Sequence, residues 1–146
     1  MEFSGKKVTV VGTGISGIGA VGLLNAVGAE VVLYDGNEKL KIEDIEKKLG
    51  TYKAEIVLGE LTKELTDSSD LLVISPGVPI DSPVVKAFEA AGVPVWGEVE
   101  LAYAFDKGKV LAITGTNGKT TTTALVGQIV GAYHKDTFVV GNIGNP

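Results

Sequence analysis

The residue types best suited to chemistry stand in a loop near the carboxyl end, Gly115-Thr-Asn-Gly-Lys-Thr-Thr121. Consecutive amides from Thr116 to Thr120 can point into one concavity that accepts phosphate oxygens. Lys119 adds a positive charge over the β- and γ-phosphates of a nucleotide, and the Thr120 hydroxyl can ligate a bridging Mg²⁺. The predicted nucleotide-binding residues are Gly115, Thr116, Asn117, Gly118, Lys119, Thr120 and Thr121. Lys119 is the candidate catalytic residue and Thr120 the candidate metal ligand.

This loop departs from the usual pattern Gly-x-x-x-x-Gly-Lys-Ser/Thr. Ile113 stands five positions before Gly118, where that pattern has its first glycine. The alternative interpretation is an ordinary helix N-terminus that binds no ligand. Four successive threonines are poor helix formers, which favours the binding interpretation.

A second glycine-rich loop, Gly12-Thr-Gly-Ile-Ser-Gly17, lies near the amino end. It follows an apolar run that predicts a strand, it opens a predicted helix, and Asp35 ends the next predicted strand. This arrangement is typical of dinucleotide-binding units, in which the glycines let a pyrophosphate approach the backbone at a helix N-terminus. Asp35 can accept hydrogen bonds from a ribose hydroxyl or a base edge. Taken alone, the loop predicts a nicotinamide dinucleotide site, and the alternative is a tight turn without a ligand.

The elements that must position these loops alternate between strands and helices. Apolar, β-branched runs predict buried strands, and the segments between them predict helices. The predicted strands cover residues 7–11, 30–34, 54–58, 70–74 and 93–96, and the predicted helices about residues 16–27, 42–49, 82–91 and 98–105. Such alternation predicts an α/β fold with a Rossmann-like parallel sheet covered by helices on both faces.

A polar hinge at residues 106–109 divides the chain. We place one domain at residues 1–107 and the beginning of a second at residues 108–146. The second part begins with a predicted strand at 109–114, continues through the phosphate loop into a helix, and reaches another apolar run at 138–140. It is therefore predicted to be an incomplete P-loop β-α-β segment.

The composition excludes several classes of protein. Thirteen Lys and Arg against 18 Asp and Glu give a formal net charge of −5, whereas sequence-independent nucleic-acid binders need a basic surface. Cysteine is absent and His134 is the only histidine, so disulfides and thiolate metal sites are excluded. The uncharged stretch 8–29 contains six glycines, which favours a strand, a turn and a helix over a membrane span. We expect a cytoplasmic protein that binds neither nucleic acid nor membrane.

The loop Thr114-Gly-Thr-Asn-Gly-Lys-Thr-Thr121 after an apolar strand resembles the ATP loop of the Mur ligases, which also lacks the early glycine. Four further segments resemble the branch of that family that adds D-glutamate to UDP-N-acetylmuramoyl-L-alanine in peptidoglycan precursor synthesis. They are residues 12–17, Ser75-Pro-Gly-Val-Pro79, Gly97-Glu-Val-Glu-Leu101 and Gly141-Asn-Ile-Gly-Asn-Pro146.

The resemblance implies roles for both loops. The first domain would hold the UDP part of the substrate, with its phosphates at Gly14, Ile15 and Ser16 and its uracil near Asp35 and Gly36. Ser75 and Gly77 would lie at the next strand end. Asn142 matches a family asparagine near the muramoyl group. Residues 115–121 would hold ATP and Mg²⁺.

The resemblance also implies a reaction. ATP would phosphorylate the L-alanine carboxylate, and the amine of D-glutamate would displace phosphate from the acyl phosphate. The chain would then be the N-terminal part of a longer ligase, inactive alone, with the D-glutamate site outside it. The competing interpretations are an NAD(P)-binding Rossmann domain of a dehydrogenase or regulatory sensor, which leaves residues 112–122 unexplained, and a fragment of a P-loop NTPase.

Overall fold

The computed structural model describes residues 2–141. The chain divides into two compact units, Met1–Asp106 and Lys107–Pro146. The strands of the first unit are β1 (Lys7–Val11), β2 (Glu30–Asp35), β3 (Glu55–Leu58), β4 (Leu71–Ile74) and β5 (Val95–Gly97). Its helices are α1 (Ile15–Ala26), α2 (Ile42–Leu49), α3 (Lys63–Ser68), α4 (Pro83–Ala90) and α5 (Glu98–Phe105).

The five strands form one parallel sheet in the order β3-β2-β1-β4-β5. In this sheet the last residue of β1, Val11, pairs with Tyr34 of β2 and Ile74 of β4. The carboxyl ends of these three strands therefore lie side by side. The predicted α/β class and parallel sheet are confirmed.

Apolar side chains cover both faces of the sheet, which explains why its strands do not alternate between polar and apolar residues. On one face Val8 and Val10 join a cluster with Leu24 of α1, Ile45 of α2 and Leu101 of α5. The other face carries a second cluster of buried side chains: Val11, Val32, Tyr34, Leu65, Leu72, Ile74, Val85, Phe88 and Val93. Helices thus cover both faces, as the sequence predicts.

The turn after α1 returns the chain directly into β2. Gly28 adopts φ +77°, a conformation that favours glycine. Its N–H donates to the carbonyl of Asn25 at 3.1 Å, and the N–H of Ala29 donates to the carbonyl of Leu24 at 3.0 Å. These two bonds form a Schellman motif, so Gly28 ends the helix as predicted.

One helix has no counterpart in the sequence prediction. Helix α3 has only six residues, too few to show a helical period. It begins where the Thr62 side chain accepts the N–H of Leu65 at 3.3 Å, and Leu65 and Thr66 are buried. The sequence feature that could have indicated α3 is therefore its capping residue, Thr62.

The second unit contains helix α6 (Lys119–Tyr133), in which no residue is buried. The strands predicted at 109–114 and 138–140 are not formed, and Val140 makes only an isolated bridge. A strand depends on hydrogen bonds to a neighbouring strand. Within residues 107–141 no second strand lies beside 109–114, which accounts for this difference. Across residues 2–141, no helix is long and apolar enough to cross a membrane.

Candidate functional site

The first candidate site is the carboxyl edge of the sheet, where the loops after β1, β2 and β4 meet. The N–H of Gly12 donates to the carbonyl of Tyr34 at 2.9 Å, and the N–H of Ser75 donates to the carbonyl of Val11 at 3.2 Å. These bonds join the start of each loop to the neighbouring strand. The structure therefore brings residues 14–16, 35–36 and 75–77 to one edge.

The three glycines of the first loop have different local requirements. Gly12 has φ +104°, and a Cβ there would lie 2.9 Å from the Oγ of Ser75. A Cβ on Gly17 would collide with the carbonyl oxygen of Gly12. Gly14 has φ −78° and ψ −176°, and a Cβ there would meet no atom within 4 Å. The fold requires Gly12 and Gly17, whereas Gly14 leaves open space at the edge.

Helix α1 starts at this open position. Its N-cap is Gly14, no side chain caps it, and its first turn carries no acidic residue. The first amides of a helix lack acceptors within the helix and carry the positive end of its dipole. Ile15 is 77% exposed beside them. The arrangement can accept an anion, with an apolar side chain at its rim.

Asp35 holds the first loop in place. Its Oδ2 accepts the N–H of Thr13 at 3.3 Å and the hydroxyl of Thr13 at 3.0 Å, and its Oδ1 accepts the N–H of Asn37 at 3.1 Å. A carboxylate has about four acceptor positions, so capacity remains for a ligand. The sequence prediction gave Asp35 a ligand role and missed its bonds to Thr13, because they depend on the pairing of β1 with β2.

Ser75 and Gly77 differ in accessibility. The Oγ of Ser75 is shielded from solvent and has no hydrogen-bond partner among residues 2–141. It lies against the positions where Gly12 and Gly17 lack a Cβ. The Ser75 hydroxyl therefore forms part of the floor beneath the first loop. Gly77 is exposed and has open space around its Cα.

Tyr34 links this edge to β3. Its hydroxyl donates to the carbonyl of Gly59 at 2.7 Å, and the N–H of Gly59 donates to the carbonyl of Asp35 at 2.9 Å. Burial, and secondarily the negative charge of Asp35, raise the pKa of Tyr34 above its ordinary value. Tyr34 therefore stays a neutral hydrogen-bond donor at physiological pH.

The second candidate site lies in the second unit, at the N-terminus of α6. Gly115 has φ +143° and Gly118, the N-cap, has φ +77°. The ammonium of Lys119 folds back to donate to the carbonyl of Gly115 and, at 3.4 Å, to that of Thr116. No acidic residue occupies the first turn of α6. The loop thus places a lysine beside the first amides of a helix, an arrangement that can accept the phosphates of a nucleotide.

Threonines follow this lysine on α6. The Thr123 hydroxyl donates to the carbonyl of Lys119 at 2.8 Å, one helical turn earlier. Thr120 and Thr121 are exposed, so a hydroxyl is available beside the loop for a cation. Asn117 is exposed in the loop itself. Nowhere in residues 2–141 do three His, Cys, Asp or Glu side chains gather as a metal site, and the predicted substrate residue Asn142 lies outside the described residues.

The chain resembles known proteins at both loops. Residues 6–97 match the family described as Mur ligase MurD-like, N-terminal domain. The chain is 68% identical over 99% of its length to a UDP-N-acetylmuramoylalanine–D-glutamate ligase of Lachnospira eligens, and 57% identical over its whole length to that of Lachnoclostridium phytofermentans. It covers 32% of each relative, so it spans about a third of their length.

A solved structure agrees with this relationship. The pseudomurein peptide ligase type C from Methanothermus fervidus is 27% identical, with a TM-score of 0.55 over 86% of this chain and 26% of that one. The matched family covers the sheet and the first loop, and the relatives align through the second loop as well. The chain therefore belongs to the Mur ligase family, and its residues 6–97 form a MurD-like N-terminal domain.

Proposed function

We propose that this chain supplies the UDP-substrate domain and the ATP loop of a ligase that joins D-glutamate to UDP-N-acetylmuramoyl-L-alanine. The observation that carries the proposal is the gathering of the first loop, Asp35 and the residues after β4 at one sheet edge. Open α/β sheets bind nucleotides at this edge. The names of the relatives supply the substrate.

In this proposal the amides of Gly14, Ile15 and Ser16 hold the diphosphate. They open α1, whose N-cap Gly14 has no side chain to cap the helix, so the phosphate oxygens take the place of a cap. Asp35 and the backbone at Gly36 face the uracil and ribose. Gly77, exposed after β4, gives the sugar a close approach to the backbone.

The Ser75 hydroxyl supports this edge from below, because it is buried between β1 and the start of α1. In this proposal Ser75 contacts the substrate through its backbone and not through its hydroxyl. Asn142 is proposed, from the family resemblance alone, to contact the muramoyl group.

For the second loop, we propose that residues 115–121 hold ATP and Mg²⁺. The Lys119 ammonium already donates to the adjacent carbonyls of Gly115 and Thr116 at the start of the loop, so it lies beside the loop, where it can neutralise phosphate charge. The exposed Thr120 would contribute a hydroxyl ligand to the cation. ATP, when bound, supplies the phosphoryl group that activates the substrate carboxylate for attack by the amine of D-glutamate. Because both proposed substrates are nucleotides, we propose that the reaction takes place in the cytoplasm.

The competing function is an NAD-binding domain, because the first loop alone fits either ligand. Two observations favour the ligase. The family match covers 63% of the chain as residues 6–97, and the ligase relatives align over 99% of it, which includes the second loop.

The test is calorimetric titration of the chain with UDP-N-acetylmuramoyl-L-alanine, UDP and NAD in separate experiments. We expect the muramoyl nucleotide to bind most tightly, UDP more weakly, and NAD without measurable heat. NAD binding that equals or exceeds that of the muramoyl nucleotide would refute the proposal.

A further inference from the structure

A lysine from α2 reaches the first glycine-rich loop. Lys48 lies in the last turn of α2, and its ammonium donates to the carbonyl oxygen of Thr13 at 3.4 Å. Thr13 directly precedes Gly14, the N-cap of α1. The ammonium of Lys48 is thus held next to the amides that the proposed function assigns to the diphosphate.

The charge of Lys48 is not neutralised by an ion pair. Within residues 2–141, the ammonium groups that have a carboxylate oxygen within 4 Å are those of Lys6, paired with Asp70, and Lys47, paired with Asp44. Lys48 contacts a neutral carbonyl instead. Asp35 is the acidic group that contacts this loop, and its oxygens accept the amide and hydroxyl of Thr13 and the amide of Asn37.

This arrangement places two positive features together. The N-terminus of α1 carries about half a positive charge, and no acidic side chain in its first turn offsets it. A cation beside a helix N-terminus is unfavourable. An anion bound between the ammonium and the helix would relieve this repulsion and interact favourably with both.

We propose that Lys48 contacts the diphosphate of the UDP-linked substrate and supplies the charged part of that site. The inference rests on the proposed function, because it takes the diphosphate to lie at the start of α1. Helix amides alone would hold the phosphates as neutral donors, whereas an ammonium adds a charge-assisted hydrogen bond. The four-carbon side chain lets the ammonium move from the Thr13 carbonyl to a phosphate oxygen without a change in the backbone.

The neighbouring Lys47 provides a matched control. It lies on the same helix turn and carries the same charge, but its ammonium pairs with Asp44 at 3.4 Å on the exposed helix surface. Removing Lys47 changes the net charge as removing Lys48 does. A difference in UDP affinity between the two variants therefore reflects where the lysine lies and not the change in net charge.

The experiment compares the wild-type chain with Lys48→Gln, Lys48→Arg and Lys47→Gln. Each is titrated with UDP by calorimetry and with uridine by nuclear magnetic resonance. We expect Lys48→Gln to weaken UDP binding about fivefold, the scale of a solvent-exposed ion pair, and to leave uridine binding unchanged. Lys48→Arg should keep most of the UDP affinity, and Lys47→Gln should bind both ligands as the wild type does.

Three results would overturn the inference while the proposed function stands. Lys48→Gln could bind UDP as tightly as the wild type, it could lose uridine and UDP affinity equally (which would show that Lys48 only positions the loop), or Lys47→Gln could lose as much. If the wild-type chain binds neither UDP nor UDP-N-acetylmuramoyl-L-alanine, the proposed function fails, and this inference fails with it.

Discussion

At the scale of single residues, the glycines of the first loop show how a structure separates folding from binding. Gly12 requires a positive φ and Gly17 a missing Cβ, because each lies against neighbouring atoms. Gly14 has neither requirement, since its backbone is extended and the space around it is open. A glycine that the fold does not need is best explained by the approach of a ligand to the backbone.

This distinction gives a direct prediction for Gly14→Val. The φ of −78° and ψ of −176° suit a β-branched residue, so we expect the variant to fold normally. The new side chain would cover the amides at the start of α1, and UDP affinity should fall by about tenfold or more, which corresponds to ~1.4 kcal/mol. Calorimetry with UDP, together with the thermal midpoint of each protein, measures both effects.

Gly19→Ala is the matched control. Gly19 lies within α1, where a Cβ would also meet no atom within 4 Å. Alanine there should raise the free energy of unfolding by about 1 kcal/mol, since glycine weakens a helix interior, and it should leave UDP affinity unchanged. If Gly14→Val bound UDP as tightly as the wild type, the approach of a ligand could not explain the glycine at this position.

Gly12, Asp35 and the second loop could be singled out from the sequence because local motifs mark them, and their roles in binding stay predictions. It did not reveal the bonds from Thr13 to Asp35 or the contact of Lys48 with Thr13. Those contacts join segments that are 22 and 35 residues apart in the chain. They are set by how β1, β2 and α2 pack, which no local pattern shows.

At the scale of elements, a buried hydroxyl pair joins β1 to the end of α3. The Oγ of Ser69 donates to the carbonyl of Leu65 at 2.7 Å, so the bond of 2.8 Å between Ser69 and Thr9 must have the Thr9 hydroxyl as donor. Thr9 is fully buried within the otherwise apolar strand β1. This bond explains how a polar side chain is accommodated there.

Ser69→Ala should therefore destabilise the first unit. The Thr9 hydroxyl would lose its acceptor in a buried position, which costs about 1–3 kcal/mol of unfolding free energy. Urea denaturation measures this loss. Ser68→Ala is the control, because Ser68 is exposed and its bond to the Leu65 carbonyl is long, at 3.4 Å.

A double variant separates the hydrogen bond from packing. Adding Thr9→Val to Ser69→Ala replaces the stranded hydroxyl by a methyl group, so part of the lost stability should return. Equal stability of Ser69→Ala and the wild type would show that the hydroxyl pair contributes nothing to the joining of β1 and α3.

At the scale of the whole molecule, the two units differ in how much of their secondary structure could be predicted from the sequence. In the first unit, every strand of the sheet has a parallel neighbour, and the apolar runs predicted these strands to within about two residues. In the second unit, helix α6 and its loop formed from local signals, whereas the strand at 109–114 did not. Helices make their hydrogen bonds within one segment, while strands need a partner elsewhere in the chain. Local sequence patterns therefore predict helix α6 and do not predict whether the strand before it forms.

One ion pair, between Lys6 and Asp70, should make the free energy of unfolding depend on pH in the acid range. Asp70 accepts the Lys6 ammonium at 2.8 Å and the Lys7 amide at 2.9 Å, so it links the starts of β1 and β4. The hydrogen bond from Lys6, followed by that from Lys7, lowers the pKa of Asp70 below its ordinary value, which is about 4. A lowered pKa adds stability above the unfolded value, and this contribution disappears as the pH falls through the folded value.

Asp70→Asn should consequently be less stable than the wild type at pH 7, and the difference between the two proteins should shrink as the pH falls through the lowered pKa of Asp70 in the folded protein. Urea denaturation at pH 7, 5, 4 and 3 follows this difference, with Asp67→Asn as the control because Asp67 is exposed and has no lysine within 4 Å among the described residues. The control should show a small, nearly constant difference from the wild type across the series. If Asp70→Asn kept the same difference from the wild type at every pH, the carboxylate charge would not be the source of the lost stability.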